Sequence, residues 1–200
     1  MHSFTGAVVT LWLAACAARS PVPPPGPAQA PPEPAPAAAP CERVARLEVR
    51  KSEHTLVAEC VGGAHQSFPV ALSREKGAKH AAGDQRVPEG SYRIAGPARA
   101  SRFHRFVPID YPSAADAARG LAEGRIGRAE HDAIVAAHHR HRVPPQYTAL
   151  GGHVGFHGEG ARWRGDLKLD WTYGCVAVTD EVIDWLSERA PRGTPVSIVP

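Results

Sequence analysis

Two side chains between Leu150 and Val178 (LGGHVGFHGEGARWRGDLKLDWTYGCVAV) suit nucleophilic chemistry at neutral pH, namely His157 and Cys175. A thiol near its ordinary pKa is mostly protonated there, so a nucleophilic cysteine needs an imidazole to take its proton or stabilise the anion. Gly151 and Gly152 turn the chain into His153-Val154-Gly155-Phe156-His157, whose alternation predicts a strand ending at a loop mouth with His157 last. A loop carrying Trp163, Asp166 and Asp170 then returns to Thr172-Tyr173-Gly174-Cys175, and Val176-Ala177-Val178 continues as a second extended segment. That return brings Cys175 beside His157. Gly174 permits a positive φ and close approach of a substrate backbone, which leaves neighbouring N–H groups free to face a developing oxyanion. Spacing alone does not separate this pair from a cysteine buried as a small hydrophobe.

A metal reading competes for the same stretch. His153 and His157, four apart on a strand, share a face, and a zinc peptidase would use them with a metal-bound water. A third ligand is missing from the pattern, so the expectation is no metal and no cofactor. The run His138-His139-Arg140-His141-Arg142 reads as basic and titrating side chains suited to a helix C-terminus, since adjacent helical residues point apart.

The elements that must position these residues occupy the last four fifths of 200 residues, enough for one core and no second domain. A formal net charge of +3, with no basic cluster interleaved with aromatics, argues against a nucleic-acid partner. Phe4 to Ala15 is an apolar run too short for a comfortable membrane span but suited to a signal-peptide core. It closes in Leu13-Ala14-Ala15-Cys16, which resembles a bacterial lipobox. That resemblance implies cleavage after residue 15 and lipidation of Cys16, with Ala17 suiting an outer-membrane destination; an ordinary signal peptide cut nearby is the alternative. Ser20 to Pro40 is almost all Pro and Ala, an extended tether that cannot build a core. The expected organisation is therefore a signal peptide over 1–15, a lipidated cysteine and tether over 16–42, and a domain over 43–200.

The domain opens with strand Val44 to Arg50, in which Ala45, Leu47 and Val49 alternate with charged residues. Lys51 to His54 turn into Thr55 to Val61, and Gly62-Gly63 lead to a third strand, Ser67 to Leu72. Gly77 to Gly90 reads as a long loop in which Asp84 and Glu89 make local ion pairs, before strand Ser91 to Ile94 and an extended run from Arg105 to Tyr111. Helices are predicted over Ala114 to Glu123 and Arg128 to about His141, the second lying over or beside the mouth that holds His157. Thr179 caps a helix from Asp180 to Arg189, and Thr194 to Val199 is the last strand. Trp163, Trp171 and Tyr173 read either as groove walls or as packing plugs. With Cys16 and Cys175 given roles, Cys41 and Cys60 remain, and an oxidising compartment permits their pairing. A simple register about the Ser52-Glu53 turn, however, sets Cys60 nearer Ala45 than Cys41.

HGEG followed after a loop by DWTYGCVAVTDEVIDWL resembles the active-site signature of the L,D-transpeptidase catalytic domain of the YkuD type, a histidine-glycine step followed by Ser/Thr-x-Gly-Cys. Phe68-Pro69-Val70-Ala71-Leu72, the run from Gly83 to Tyr92 and Ile109-Asp110-Tyr111-Pro112 resemble segments in the same order in that family, particularly its murein-directed Gram-negative branch. Tyr173 stands where many members have His, and Ala177 where many have Arg. The resemblance implies a mainly β (α+β) fold, a β-sandwich-like mixed sheet with a few peripheral helices. It also implies cysteine-dependent acyl transfer on peptidoglycan stem peptides, with Cys175 as nucleophile, His157 as proton partner, Gly174 shaping the oxyanion site and Thr172 supporting the loop. Hydrolysis, as an L,D-carboxypeptidase or amidase, is the alternative outcome of the same acyl-enzyme. A catalytically inert wall-binding lipoprotein is a third reading. The expected location is the periplasmic face, with an outer-membrane lipid anchor.

Overall fold

The computed structural model describes His2, residues 41–163 and residues 169–200. In chain order these form β1 (Val44–Arg50), β2 (Thr55–Cys60), β3 (His65–Pro69), β4 (Gly90–Arg93), β5 (Arg99–Ser101), β6 (His104–Pro108), α1 (Ala114–Ala122), α2 (Arg128–His139), β7 (Gly155–His157), the single turn α3 (Gly160–Trp163), β8 (Val176–Ala177), α4 (Asp180–Arg189) and β9 (Pro195–Val199). Two mixed sheets result, a five-stranded one in the order β3-β2-β1-β9-β4 and a four-stranded one in the order β5-β6-β7-β8.

The first sheet grows from the predicted hairpin, but with a change of phase. The β1–β2 register shifts between Val44 and Arg46, so Val44 faces Cys60 and is buried while Ala45 is exposed. One extra residue on one strand turns the alternation over, which is what a β-bulge does. The same shift draws the preceding chain toward β2, and Cys41 is joined to Cys60 by a disulfide with Cα atoms 5.4 Å apart. The simple register that placed Cys60 near Ala45 is thereby corrected. The C-terminal strand β9 then lies parallel to β1 and antiparallel to β4.

The inner face of this sheet, with Leu47, Val49, Leu56, Ala58, Val196 and Ile198, shares one apolar cluster with Val107, Phe156 and Val176 of the second sheet and Ile183 and Leu186 of α4. Helix α4 forms where expected because Thr179 Oγ1 accepts from the Val182 N–H and Asp180 and Glu181 occupy its first turn. Helix α1 starts at Ser113 through a capping box with Asp116.

Three expectations change in the folded chain. Strand β5 was not anticipated; it forms a short hairpin with β6. The strand expected over 67–72 ends at Pro69, and Ala71 instead bridges Ala177 of β8. Helix α2 does not wall the mouth near His157: Ile134 packs with Ala117, Ile126 and Leu150 against α1, and no residue of α2 lines the cavity that holds Cys175. A helix with one buried residue, Ile134, covers its neighbour and little else.

Candidate active site

The parallel pairing of β7 with β8 sets Phe156 against Val176 and His157 against Ala177. Cys175, one residue before β8, is therefore level with Gly155, and His157 lies diagonally across from it on the neighbouring strand. Both line a cavity of about 870 Å³ together with Arg99, Ser101, Arg102, Phe103, Phe106, His153, Trp171, Thr172 and Tyr173. Gly155 has no room for a side chain, since a Cβ there would lie 2.2 Å from the Val107 carbonyl oxygen on β6.

The His157 ring is buried, 3% exposed. It stacks on Phe103 at 4.5 Å between centroids and tilts against Trp171 at 5.4 Å. Its Nδ1 is 2.7 Å from the Gly158 carbonyl oxygen. A carbonyl only accepts, so Nδ1 carries the proton of the neutral ring, and Nε2 is left as the acceptor. Burial lowers the imidazole pKa below the ordinary histidine range; the Gly158 carbonyl opposes that, and the Arg102 charge reinforces it. Gly158 is as constrained as Gly155, because a Cβ would meet Asp180 Oδ1 at 2.4 Å and the Phe103 carbonyl at 2.8 Å.

Cys175 is a free thiol, partly exposed, with Sγ 3.8 Å from the His153 carbonyl oxygen. Burial pushes its pKa up, while the Gly155 N–H and the positive charge of Lys79 pull it back. Both shifts favour the neutral forms, a thiol and an imidazole lining one cavity, over a standing ion pair.

The Cys175 loop is held at three points. Asp170 Oδ1 accepts from the Leu72 N–H at 2.9 Å, and Oδ2 meets Lys76 Nζ at 2.5 Å and His54 Nε2 at 3.1 Å. Burial raises the Asp170 pKa, but Lys76, the Leu72 N–H and His54 together outweigh it and keep the carboxyl below its usual range. Thr172 Oγ1 donates to the Cys175 carbonyl at 2.7 Å. Gly174 has φ +117°, and a Cβ there would lie 2.9 Å from the Arg86 carbonyl oxygen, so both backbone conformation and contact require glycine. The Arg86 backbone is itself fixed by Asp84, whose carboxylate accepts from the N–H groups of His80, Ala81 and Arg86 and pairs with the buried Lys79. The local ion pair expected at Asp84 therefore exists, with Lys79, and Asp84 also supports the Cys175 turn; Glu89 instead engages Lys51, distant in the chain, after β1. A further cavity of about 730 Å³ beside Tyr92 and His138 holds a buried Asp116, and its carboxylate is already occupied by Tyr92, Ser113 and Arg119.

His153 does not continue β7. It has φ +54°, its N–H donates to Gln146 Oε1, and its ring meets Tyr147 edge-on at 4.8 Å. The shared strand face invoked for a His153–His157 metal pair is therefore absent, and among the described residues no group of three His, Cys, Asp or Glu side chains could hold a metal ion. Trp171 is a buried plug beneath His157, while Tyr173 is 75% exposed on the rim. Ala177 is fully buried with Ala71 and Trp171. Cys16, Asp166 and the side chain of Trp163 lie outside the described residues. Phe103, Arg99 and Arg102 are cavity residues that pattern reading missed; Arg102-Phe103-His104-Arg105-Phe106 was a short signal for two of them, and nothing local marked Arg99.

The family model for the L,D-transpeptidase catalytic domain, YkuD, matches residues 45–198. The chain belongs to this family. Among solved structures, this L,D-transpeptidase domain is similar to the helical cell shape determining protein Pgp2 from Campylobacter jejuni, with 17% identity over 78% of this chain and 47% of that one and a TM-score of 0.51. It also matches Bd1075 from Bdellovibrio bacteriovorus, with 18% identity over 78% and 48% of the two chains and a TM-score of 0.47. The L,D-transpeptidase from Xylanimonas cellulosilytica matches at 14% identity over 81% and 63%, with a TM-score of 0.42. The chain spans less than two thirds of the length of each of these structures. The Pgp2 likeness supports the fold, a mixed α+β domain of two sheets. No curated protein matches the chain.

Proposed function

We propose that this L,D-transpeptidase domain transfers acyl groups between peptidoglycan stem peptides through a Cys175 thioester, in the manner of the family's murein-directed Gram-negative branch. The observation that carries the reading is the placement of Cys175 just before β8 and of His157 diagonally across from it on parallel β7, both lining one cavity, with His157 Nε2 as acceptor. His157 takes the thiol proton as sulfur attacks the carbonyl of the L-centre. Backbone N–H groups at the Gly174 turn face the developing oxyanion, and the protonated imidazole returns its proton to the departing amine of the D-residue. An amine acceptor then resolves the thioester to a crosslink, and water resolves it to a hydrolysed peptide. Cys16 is proposed as a lipid anchor that holds the protein at the periplasmic face of the outer membrane.

The test is incubation of the purified protein with tetrapeptide-bearing murein fragments, with and without an amine acceptor, followed by mass spectrometry. A covalent adduct on Cys175 with release of the terminal D-residue is expected, and Cys175→Ala should give none. Loss of the base in His157→Ala should slow acylation by about 10²–10⁴-fold. Full turnover by Cys175→Ala would exclude the mechanism, and the ratio of crosslinked to hydrolysed product separates transferase from hydrolase.

A further inference from the structure

The β5–β6 hairpin carries four basic residues close together, and they are not treated alike. On the side toward α4, His104 Nε2 and Arg105 Nε both engage Asp184, at 2.9 and 2.5 Å. On the cavity side, Arg99 and Arg102 form no ion pair with a described residue. Instead, each guanidinium lies over an aromatic ring, Arg99 5.0 Å from the Phe106 centroid and Arg102 4.7 Å from that of Phe103. Stacking of this kind orients the planar group and leaves its N–H edge available for a forked contact. Among the described residues that line the Cys175 cavity there is no Asp or Glu. With His157 neutral, the cavity thus holds two arginine charges that no carboxylate among the described lining residues offsets, on the hairpin whose Phe103 stacks on the His157 ring.

We propose that Arg99 and Arg102 form a carboxylate-reading wall of the Cys175 cavity and determine a preference for stem peptides that keep their carboxylates free. The inference deepens the proposed function and rests on it for the identity of the ligand. Guanidinium groups match carboxylates in a planar, two-bond geometry. A stem peptide that approaches Cys175 with its free carboxylates is drawn in by the wall, and an amidated one is not.

Two measurements on the full chain separate this wall from the function it serves. The first compares alkylation of Cys175 by iodoacetate and by iodoacetamide, read by peptide mass mapping. The wild type should favour the anionic reagent severalfold more than Arg99→Gln/Arg102→Gln does, and the Lys pair should retain most of that preference. The second is binding of the free-acid tetrapeptide and its fully amidated form to Cys175→Ala, with and without the two Gln substitutions. Affinity for the acid should fall about tenfold or more, as expected for loss of charge-assisted hydrogen bonds, while affinity for the amide stays unchanged. An unaltered alkylation ratio together with unaltered acid-over-amide preference would overturn the proposal, as would equal losses on both peptides. If the alkylation ratio responds but wild-type Cys175 is never acylated by the acid peptide, the wall stands and the stem-peptide reading fails. If acylation proceeds and discrimination is insensitive to both arginines, the function stands and the wall fails.

Discussion

His157 owes its state to its neighbours rather than to its residue type. Burial between Phe103 and Trp171 lowers its pKa and burial raises that of Cys175, so raising the pH switches the base on early and forms free thiolate late. The acid limb of kcat/KM for stem-peptide acylation should therefore lie below the ordinary histidine value of about 6.5, with activity level across neutral pH. A profile that instead climbs through the thiol range, near pH 8.5 and above, would mean that preformed thiolate is the reactive species. Gly174 is the second residue whose role is decided by geometry, because its φ of +117° and the Arg86 carbonyl 2.9 Å from its would-be Cβ both oppose a side chain. Gly174→Ala should cost about 1–3 kcal/mol in unfolding free energy and depress the acylation rate, read by urea titration and by mass-spectrometric acylation. Wild-type values for both would show that the turn relaxes freely. Cys175, His157 and Gly174 could be singled out in the sequence through the family signature, since spacing alone did not separate the pair from a buried cysteine. The hydrogen bond that selects the His157 tautomer could not be read there, since it depends on where the Gly158 carbonyl points.

At the level of elements, the strands were easiest to read where one face is buried and the other wet. Strand β1, helix α4 and strand β9 lie where alternation, capping and turn residues predicted them. Reading failed where chain geometry departs from a simple period. The bulge after Val44 turned over the alternation at the start of β1 alone, burying Val44 in place of Ala45, and it also changed which residues meet across the hairpin, bringing Cys41 to Cys60. Closing a loop with a sequence separation of 19 should stabilise the domain by roughly 3 kcal/mol through the unfolded chain. Urea titrations of the Cys175→Ala protein, oxidised and reduced, should show the midpoint falling on reduction. Coincident curves would mean that the bridge contributes nothing beyond the packing of two buried cysteines. Strand β5 went unread because three residues between a proline-containing turn and a tight hairpin are too few to show a period, yet that hairpin supplies the cavity's two arginines and Phe103.

For the molecule as a whole, the described domain and the residues before it raise separate questions. No helix among the described residues is long and apolar enough to cross a membrane, and the proposed attachment rests on Cys16. Detergent phase partitioning of the processed protein should place it with the membrane phase, and a Cys16→Ala variant in the aqueous phase; a wild type that is wholly aqueous, with its N-terminus beyond residue 16, would end that proposal. The sequence by itself determined most of the order of elements, most of the apolar faces they bury, the glycine at position 174 and the family to which the chain belongs, because each is written in local spacing and residue type. Only the tertiary structure decided which distant segments converge on Cys175. The parallel join of β7 to β8 brings His157 to it, the Asp84 loop supports its turn, the unread hairpin roofs its cavity and α2 stays away. Those choices are settled by register, bulges and burial among residues far apart in the chain, where a shift of one position exchanges the buried face for the exposed one.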